Sequence, residues 1–456
     1  MASNDFSVST QYEVNLVRID DVDVIGLYQS ISIYENIYSP VIFGSIVMLD
    51  SDYADFMANN NIQGIENIEF EFTSCKDESL YFKGKLNGIR NKTAAQQRIG
   101  YTFDFTSDQV RKNEGTFVTE RYKNLAPEDV CRDIIEEKLE GEIDDEFFNG
   151  AGLPMNFLGS RKRPTDIIKY VITHGVTQNS EVIESEDGSQ RKGEVKGTTG
   201  YLCWQTLEEG GRYRMASVDD IKGGKGGKDS GEFISQTEQN ELTLEASAQS
   251  IITYEFKELG DFQARLRSGA FKSKNIFMDL DKGVYTEDKM EAEEMMTDKQ
   301  KEALKESGAV ETRTNVNVVQ SQLYEPGCEG AQPDQWDQTK RNSSQNQVNQ
   351  NTFDDQTGQL TLSPQFEMRA GDTITVKIPK VVSEGEGGYE EKTTGRYICK
   401  QVAHHMHSNG AAYTKVGTVR TTIQQEDFSS TLATAEGARA VGRAAGERIL
   451  SQLSQL

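Results

Sequence analysis

The 456-residue chain lacks a surplus of positive charge: 49 Lys and Arg stand against 73 Asp and Glu, a formal net charge of −24. Affinity for DNA comes largely from cations that neutralise phosphates, so free nucleic acid is not an expected ligand. An anionic membrane surface would be repelled for the same reason. Cysteine is scarce too. The five residues, Cys75, Cys131, Cys203, Cys328 and Cys399, are scattered and odd in number, which excludes a complete intramolecular disulfide framework and suits a reducing compartment. No apolar run approaches the roughly 20 residues that span a bilayer, so no membrane insertion is expected. The first residues, MASNDFSVST, show no basic start followed by an apolar stretch, so no secretory signal is expected.

The usual catalytic signatures are also missing. There is no HExxH, CxxC or GxSxG. The run KGGKGGKDSG, Lys222 to Gly231, fails as a phosphate loop because Lys228 is followed by Asp229 where Ser or Thr is required, and it reads as a flexible loop. EIDDEFF, Glu142 to Phe148, offers carboxylates in a chain full of them and reads as a solvated loop. In HHMH, His405 and His407 share a strand face with no Cys or acid beside them, which predicts polar packing near a subunit contact over a metal site; His404 points the other way. Cys203 beside Trp204 reads as buried. The expectation is no catalytic, cofactor-binding or metal-binding residue, and no cofactor.

What the chain does have is alternation. NIEFEFTS, Asn67 to Ser74, sets Ile68, Phe70 and Phe72 against Glu69 and Glu71; YTFDFTS sets Tyr101, Phe103 and Phe105 against Thr102 and Asp104; DTITVKIP sets Ile374, Val376 and Ile378 against Thr375 and Lys377. Successive side chains of a strand take opposite faces, so each stretch wants a core on one side and water on the other. From Tyr12 to Ser107 such stretches follow at short intervals, arguing for an antiparallel barrel or sandwich. The rhythm then turns helical in LAPEDVCRDIIEEKLEG and RPTDIIKYVITHG, each with Pro at its start and Gly at its end. A hairpin follows across Glu208 to Gly211. Strands resume in SIITYEF, FKSKNIFMDLDKGVYTE, GQLTLSPQ, DTITVKIPKVV, GRYICKQVAHHMH and YTKVGTVRTTI. A charged helix is expected around EDKMEAEEMMTDKQKEALKESG, and a closing helix in TLATAEGARAVGRAAGERILSQL. Glu184 to Thr199, Lys222 to Gly231 and Gly330 to Gly358 are too poor in apolar residues to order themselves.

Taken in order, several of these stretches resemble baseplate central hub proteins of contractile-tailed, T-even-type phages. YQSISIYENIYSPVIFGSIVMLDSDYADFM is similar to the family's first domain, the two helices and the aromatic hairpin GYLCWQTLEEGGRYRMASVDDI to its middle domain, and MRAGDTITVKIP, GRYICKQVAHHM and YTKVGTVRTT to its closing strands. The match runs from about Tyr12 to Ile423. The glycine-lysine loop, the Gln/Asn-rich insertion and the C-terminal helix have no counterpart in it. The resemblance implies a mainly β fold with helical insertions (α+β): two antiparallel β-barrel tube domains plus a helix-containing middle domain. The implied boundaries are 1–110 for the first barrel, 111–230 for the middle domain and 231–286 with 359–423 for the second barrel. Residues 287–358 form an insertion, and 424–456 a C-terminal helix. It implies a homotrimer forming a pseudo-sixfold ring in the virion's baseplate, assembled in the host cytoplasm. The ring would contact a central spike protein, tail tube or tube-initiator proteins and a tape measure protein, with DNA passing through unbound. Glu69, Glu71, Asp104 and Thr375 become candidates to line its channel, where negative charge would keep DNA from sticking; Lys377 runs against that pattern, and the same acids would serve equally on an outer, solvated face. Two rival readings stay open, a tail-associated cell-wall hydrolase and the equivalent part of a secretion-system spike.

Overall fold

A computed structural model describes residues 8–50, 56–95, 98–152, 154–175, 200–235, 244–257, 272–280, 283–291, 298–306, 313–319, 356–380 and 393–420, with a few single positions between them. The first unit holds β1 (Tyr12–Ile19), β2 (Val22–Asp23), β3 (Tyr28–Asn36), β4 (Phe43–Asp50), β5 (Asn67–Ser74), β6 (Ser79–Ala95) and β7 (Arg98–Thr106). All pairings among them are antiparallel, in the order β3-β4-β7-β6-β5-β1-β2. The alternation read in NIEFEFTS is observed: Ile68, Phe70 and Phe72 are buried and Glu69 and Glu71 lie on the opposite face. Phe70 packs against Phe72, Phe82 and Phe105 with ring centroids 5.3 to 5.6 Å apart. Burying each such ring contributes about 1.5–3 kcal/mol.

The middle unit carries β8 (Arg121–Leu125), β9 (Glu142–Phe148), β10 (Met155–Leu158), β11 (Tyr201–Thr206) and β12 (Arg212–Ser217). Its helix Pro127–Asp133 starts with proline at N1 and acids in its first turn, then widens into a π-turn over Ile134–Lys138. Helix Pro164–His174 packs against it through Ile167, Ile168 and Val171. Glu142–Phe148, expected as a solvated loop, is β9 and runs parallel to β12. Its acid Asp144 is held by Arg214 at 2.8 Å, a tertiary partner that lets a carboxylate sit inside a strand.

The remaining strands are β13 (Asp229–Ser235), β14 (Ser250–Lys257), β15 (Lys272–Asp279), β16 (Val284–Glu291), β17 (Arg313–Val319), β18 (Gln356–Leu362), β19 (Thr373–Lys377), β20 (Gly395–His407) and β21 (Ala412–Arg420). Six of them close a ring, β19-β13-β14-β18-β21-β20, through the pairing of β20 back to β19. This barrel is not wholly antiparallel as expected: β13 runs parallel to both β14 and β19. Parallel neighbours need a crossover connection, which the stretch containing helix Leu244–Ala248 provides. Strand β15 and the first residues of β16, assigned by sequence to this barrel, lie instead in a separate sheet of order β16-β15-β17. The charged helix is Asp298–Glu306, while Glu287 to Glu291 belong to β16.

The glycine-lysine run is also a correction. Helix Val218–Lys222, capped by the Ser217 hydroxyl, leads into buried Gly226 and Gly227. The Lys228 backbone N–H donates to Asp372 Oδ1 at 3.0 Å. A Cβ on Gly227 would collide with that carboxylate, so glycine here serves close approach, not mobility. Glu184 to Thr199, most of Gly330 to Gly358 and the C-terminal helix lie outside the described residues.

The two barrels are one sheet. Strand β20 pairs antiparallel with β3 over seven residue pairs, from Gln401–Asn36 to His407–Ser30, so thirteen strands form a continuous ladder. The first core also takes in Phe366, Met406 and Ala412 from the second half and Leu207 from the middle unit.

Candidate functional site

Because register passes unbroken through β3 and β20, the outer faces of both barrels meet along this seam. One cross-strand row runs Asp104, Ser45, Ser32, His405, Tyr413 over β7, β4, β3, β20 and β21. Beside it lie Thr102, Val47, Ser30 and His407, and on the other side Thr106, Phe43, Tyr34, Ala403, Lys415 and Thr361. The face is rich in hydroxyls and rings and poor in net charge.

A chain of rings crosses it. Tyr34 stacks on Phe43 at 5.2 Å and meets His405 edge-on at 5.7 Å; His405 stacks on Tyr413 at 4.9 Å, and Tyr413 on His407 at 5.6 Å. Ser32 Oγ lies 2.8 Å from His405 Nδ1, fixing the ring's orientation. Burial, with Lys415 and His407 nearby, pushes the His405 imidazole down to about 4, so it is neutral at physiological pH. His404, on the opposite face, is fully buried against Phe366 with Nδ1 3.1 Å from the Thr414 hydroxyl. Among the described residues no group of His, Cys, Asp and Glu is arranged to hold a metal.

The four residues singled out by sequence do not come together. Asp104 lies in the seam row, bound by Arg90 at 2.6 and 2.9 Å. Glu69 and Glu71 occupy the outer face of the first barrel at its β1–β5–β6 flank; Glu69 is paired with Arg18 and accepts from the Tyr81 hydroxyl at 2.6 Å, which holds its carboxyl below the usual range. Thr375 is on β19 of the second barrel, between Glu232 and Arg396. Sequence reasoning missed Ser32, Tyr34, Tyr413 and Lys415. Their alternation was visible, but the seam that unites them depends on pairing partners some 370 residues apart.

Behind the seam a buried charge network ties the three units. Glu35 of β3 is fully buried; its Oε1 accepts from the Leu207 N–H and its Oε2 from the Ala370 N–H, both at 2.8 Å. Burial pushes its carboxyl up to about 7 against the pull of Arg369, the two N–H groups and Arg214. Arg214, from β12, reaches Asp144 at 2.8 Å and Asp372 at 2.9 Å and covers the Phe147 ring at 4.6 Å. Gly371, at φ +95°, lets this turn lie against Trp204, whose indole N–H donates to the Ala370 carbonyl at 2.9 Å.

Compared with solved structures, the chain has the fold of phage tail proteins. The 43 kDa tail protein of prophage MuSo2 from Shewanella oneidensis superposes with a TM-score of 0.50 at 10% identity, covering 90% of this chain and 98% of that one. The tail protein of Neisseria meningitidis MC58 gives 0.50 at 10% identity, covering 91% and 99%. The Escherichia coli c3393 protein, a type VI secretion component, gives 0.45 at 8% identity over 91% and 78%. No protein-family model and no curated protein matches the chain.

Proposed function

We propose that this chain is the structural hub subunit of a contractile-tail baseplate, with three copies closing into a ring whose bore is lined by the seam face. The observation that carries this reading is the β3–β20 ladder. It fuses two strand-built units, one of seven strands and one of six, edge to edge, so three copies present six, matching threefold partners on one side and sixfold partners on the other. The whole-length likeness to two tail proteins supports it. The bore would present hydroxyls, the neutral His405 imidazole and an Asp104 cancelled by Arg90, a surface with little grip on passing DNA. In this arrangement Asp104 faces the bore, with Glu69, Glu71 and Thr375 toward its margins. A central spike protein, the tube or its initiator and the tape measure protein would be its partners in the virion.

Size-exclusion chromatography with light scattering, run with the cognate spike protein, should give three copies of this chain; a persistent monomer would overturn the reading. In the assembled ring, Ser45→Cys should react with small maleimides and resist bulky polyethylene-glycol maleimides. Equal reaction with both reagents would place the seam outside.

A further inference from the structure

The middle unit carries a face that its position in the fold does not explain. Residues 117–123 and 156–163 form an irregular two-stranded antiparallel ladder, β8 with β10 extended by a Val118–Lys162 bridge, in which Tyr122 and Phe157 stack inward at 4.8 Å. The alternate positions point out: Phe117, Arg121 and Lys123 on one strand, Asn156, Leu158, Arg161 and Arg163 on the other. Phe117 is 50% exposed and Leu158 57%, two large apolar side chains in the open. The guanidiniums of Arg161 and Arg163 lie over the Phe117 ring at 5.5 and 5.6 Å. Arg163 is further fixed by Glu114 at 2.6 Å.

Two features show a face built for presentation. First, the turn at its end places Ser160 and Arg161 at φ 49° and 60°, with Lys162 N–H donating to the Gly159 carbonyl at 3.0 Å. A turn with both central residues left-handed ordinarily takes Asn or Gly, so holding Arg161 there is strained and aims its side chain onto Phe117. Second, among the described residues no carboxylate pairs with Arg121, Lys123 or Arg161, in a chain whose net charge is −24. Glu120, the nearest acid in sequence, turns away to Lys138 at 2.6 Å. The face therefore holds four cations to the one carboxylate of Glu114.

Arginine and aromatic side chains, with an apolar centre, are what protein interfaces concentrate. The charge here calls for an anion, and the exposed Phe117 and Leu158 call for apolar contact that a phosphate backbone does not offer. Four cations are also few against the long-range repulsion of a −24 chain for nucleic acid. We infer that this two-stranded face docks an acidic segment of another protein, one in which carboxylates flank an apolar side chain.

The test uses the full chain and a fluorescein-labelled peptide of sequence (Glu-Leu-Glu-Asp-Phe-Glu) repeated twice, read by fluorescence anisotropy between 50 and 300 mM salt. Wild type should bind it and weaken with salt. Arg121→Glu with Lys123→Glu should weaken binding about tenfold, and Phe117→Ser with Leu158→Ser by a similar factor. All four side chains are exposed, so unchanged melting curves certify the variants; Arg161→Glu serves as an independent third if either pair misfolds. Three results would overturn the inference: variants that bind as tightly as wild type, a polyglutamate peptide or a DNA duplex bound equally well, or a concentration-dependent dimer that the same substitutions abolish, which would make the occupant a second copy.

Discussion

The two barrels solve the same closure problem by different means. The second is sealed by hydrogen bonds: β20 returns to β19 and no edge of its ring is left over. The first is not: among the described residues no ladder joins β1 to β3. Its gap is spanned outside any ladder, by the Tyr12 and Tyr28 hydroxyls at 2.9 Å, by Tyr12 donating to the His407 carbonyl at 2.7 Å and by an isolated backbone bridge between Gln11 and Ala411. Its interior is densely aromatic, with the rings of Phe70, Phe72, Phe82 and Phe105 in contact, whereas the second core is mainly aliphatic, built from Leu360, Leu362, Ile374, Val376, Val402 and Val416, with Phe233 and Tyr397 buried among them and Phe256 packed against Tyr397 at its margin. Where a ladder closes a barrel, modest side chains suffice; where it does not, bulk and specific contacts do the closing.

The largest effect expected from this contrast is at the aromatic core. Phe70→Ala should cost about 3–5 kcal/mol in urea denaturation, cavity included; a loss smaller than that of Leu360→Ala would break the comparison. Next comes Glu35, which anchors both barrels to the middle unit. Unfolded, its carboxyl ionises near 4.5; folded, it keeps its proton up to about 7. The stability it contributes is therefore complete below about pH 4.5, declines as pH rises toward 7, and is gone above, a change of about 3 kcal/mol. The difference in Tm between wild type and Glu35→Gln should follow that window, and a difference independent of pH between 4.5 and 7.5 would contradict the assignment. Smaller still, Tyr12→Phe removes the hydroxyl that bridges the first barrel and should cost about 1 kcal/mol. Hydrogen exchange should quicken in β1 and stay unchanged in β19; equal protection in both would mean that the hydroxyls do not close the gap. The smallest effect belongs to the seam shared by both barrels. Lys415→Gln removes a cation beside His405, so the imidazole pKa should rise from about 4, still short of its ordinary value because burial, the larger cause, remains. An NMR titration reads this directly, and no movement would show that Lys415 lies too far away to act.

Much of this architecture was legible because alternation is local. Asn67 to Ser74, Arg98 to Thr106 and Thr373 to Lys377 declare their inner and outer faces in single residues, and Pro127 and Pro164 mark two helix starts. What escaped reading depends on partners far along the chain. Glu142 to Phe148 looks solvated until Arg214 meets Asp144, and Lys222 to Gly231 looks loose until Gly227 is pressed against Asp372. The site shows the same division. Asp104 and His405 each stood out, but only the register of β4, β3 and β20 sets them in one row, while Glu69 and Thr375, alike in pattern, fall on distant flanks. The two-stranded face at Phe117 carries no periodic signal, since two left-handed residues and two cation–ring contacts create it.

The seven residue pairs between β3 and β20 have a mechanical meaning as well. Sliding one barrel past the other along the strand direction strains every bond of that ladder at once, whereas a flexible joint would yield one contact at a time. A thrust arriving at one half of the molecule is thus handed to the other without play.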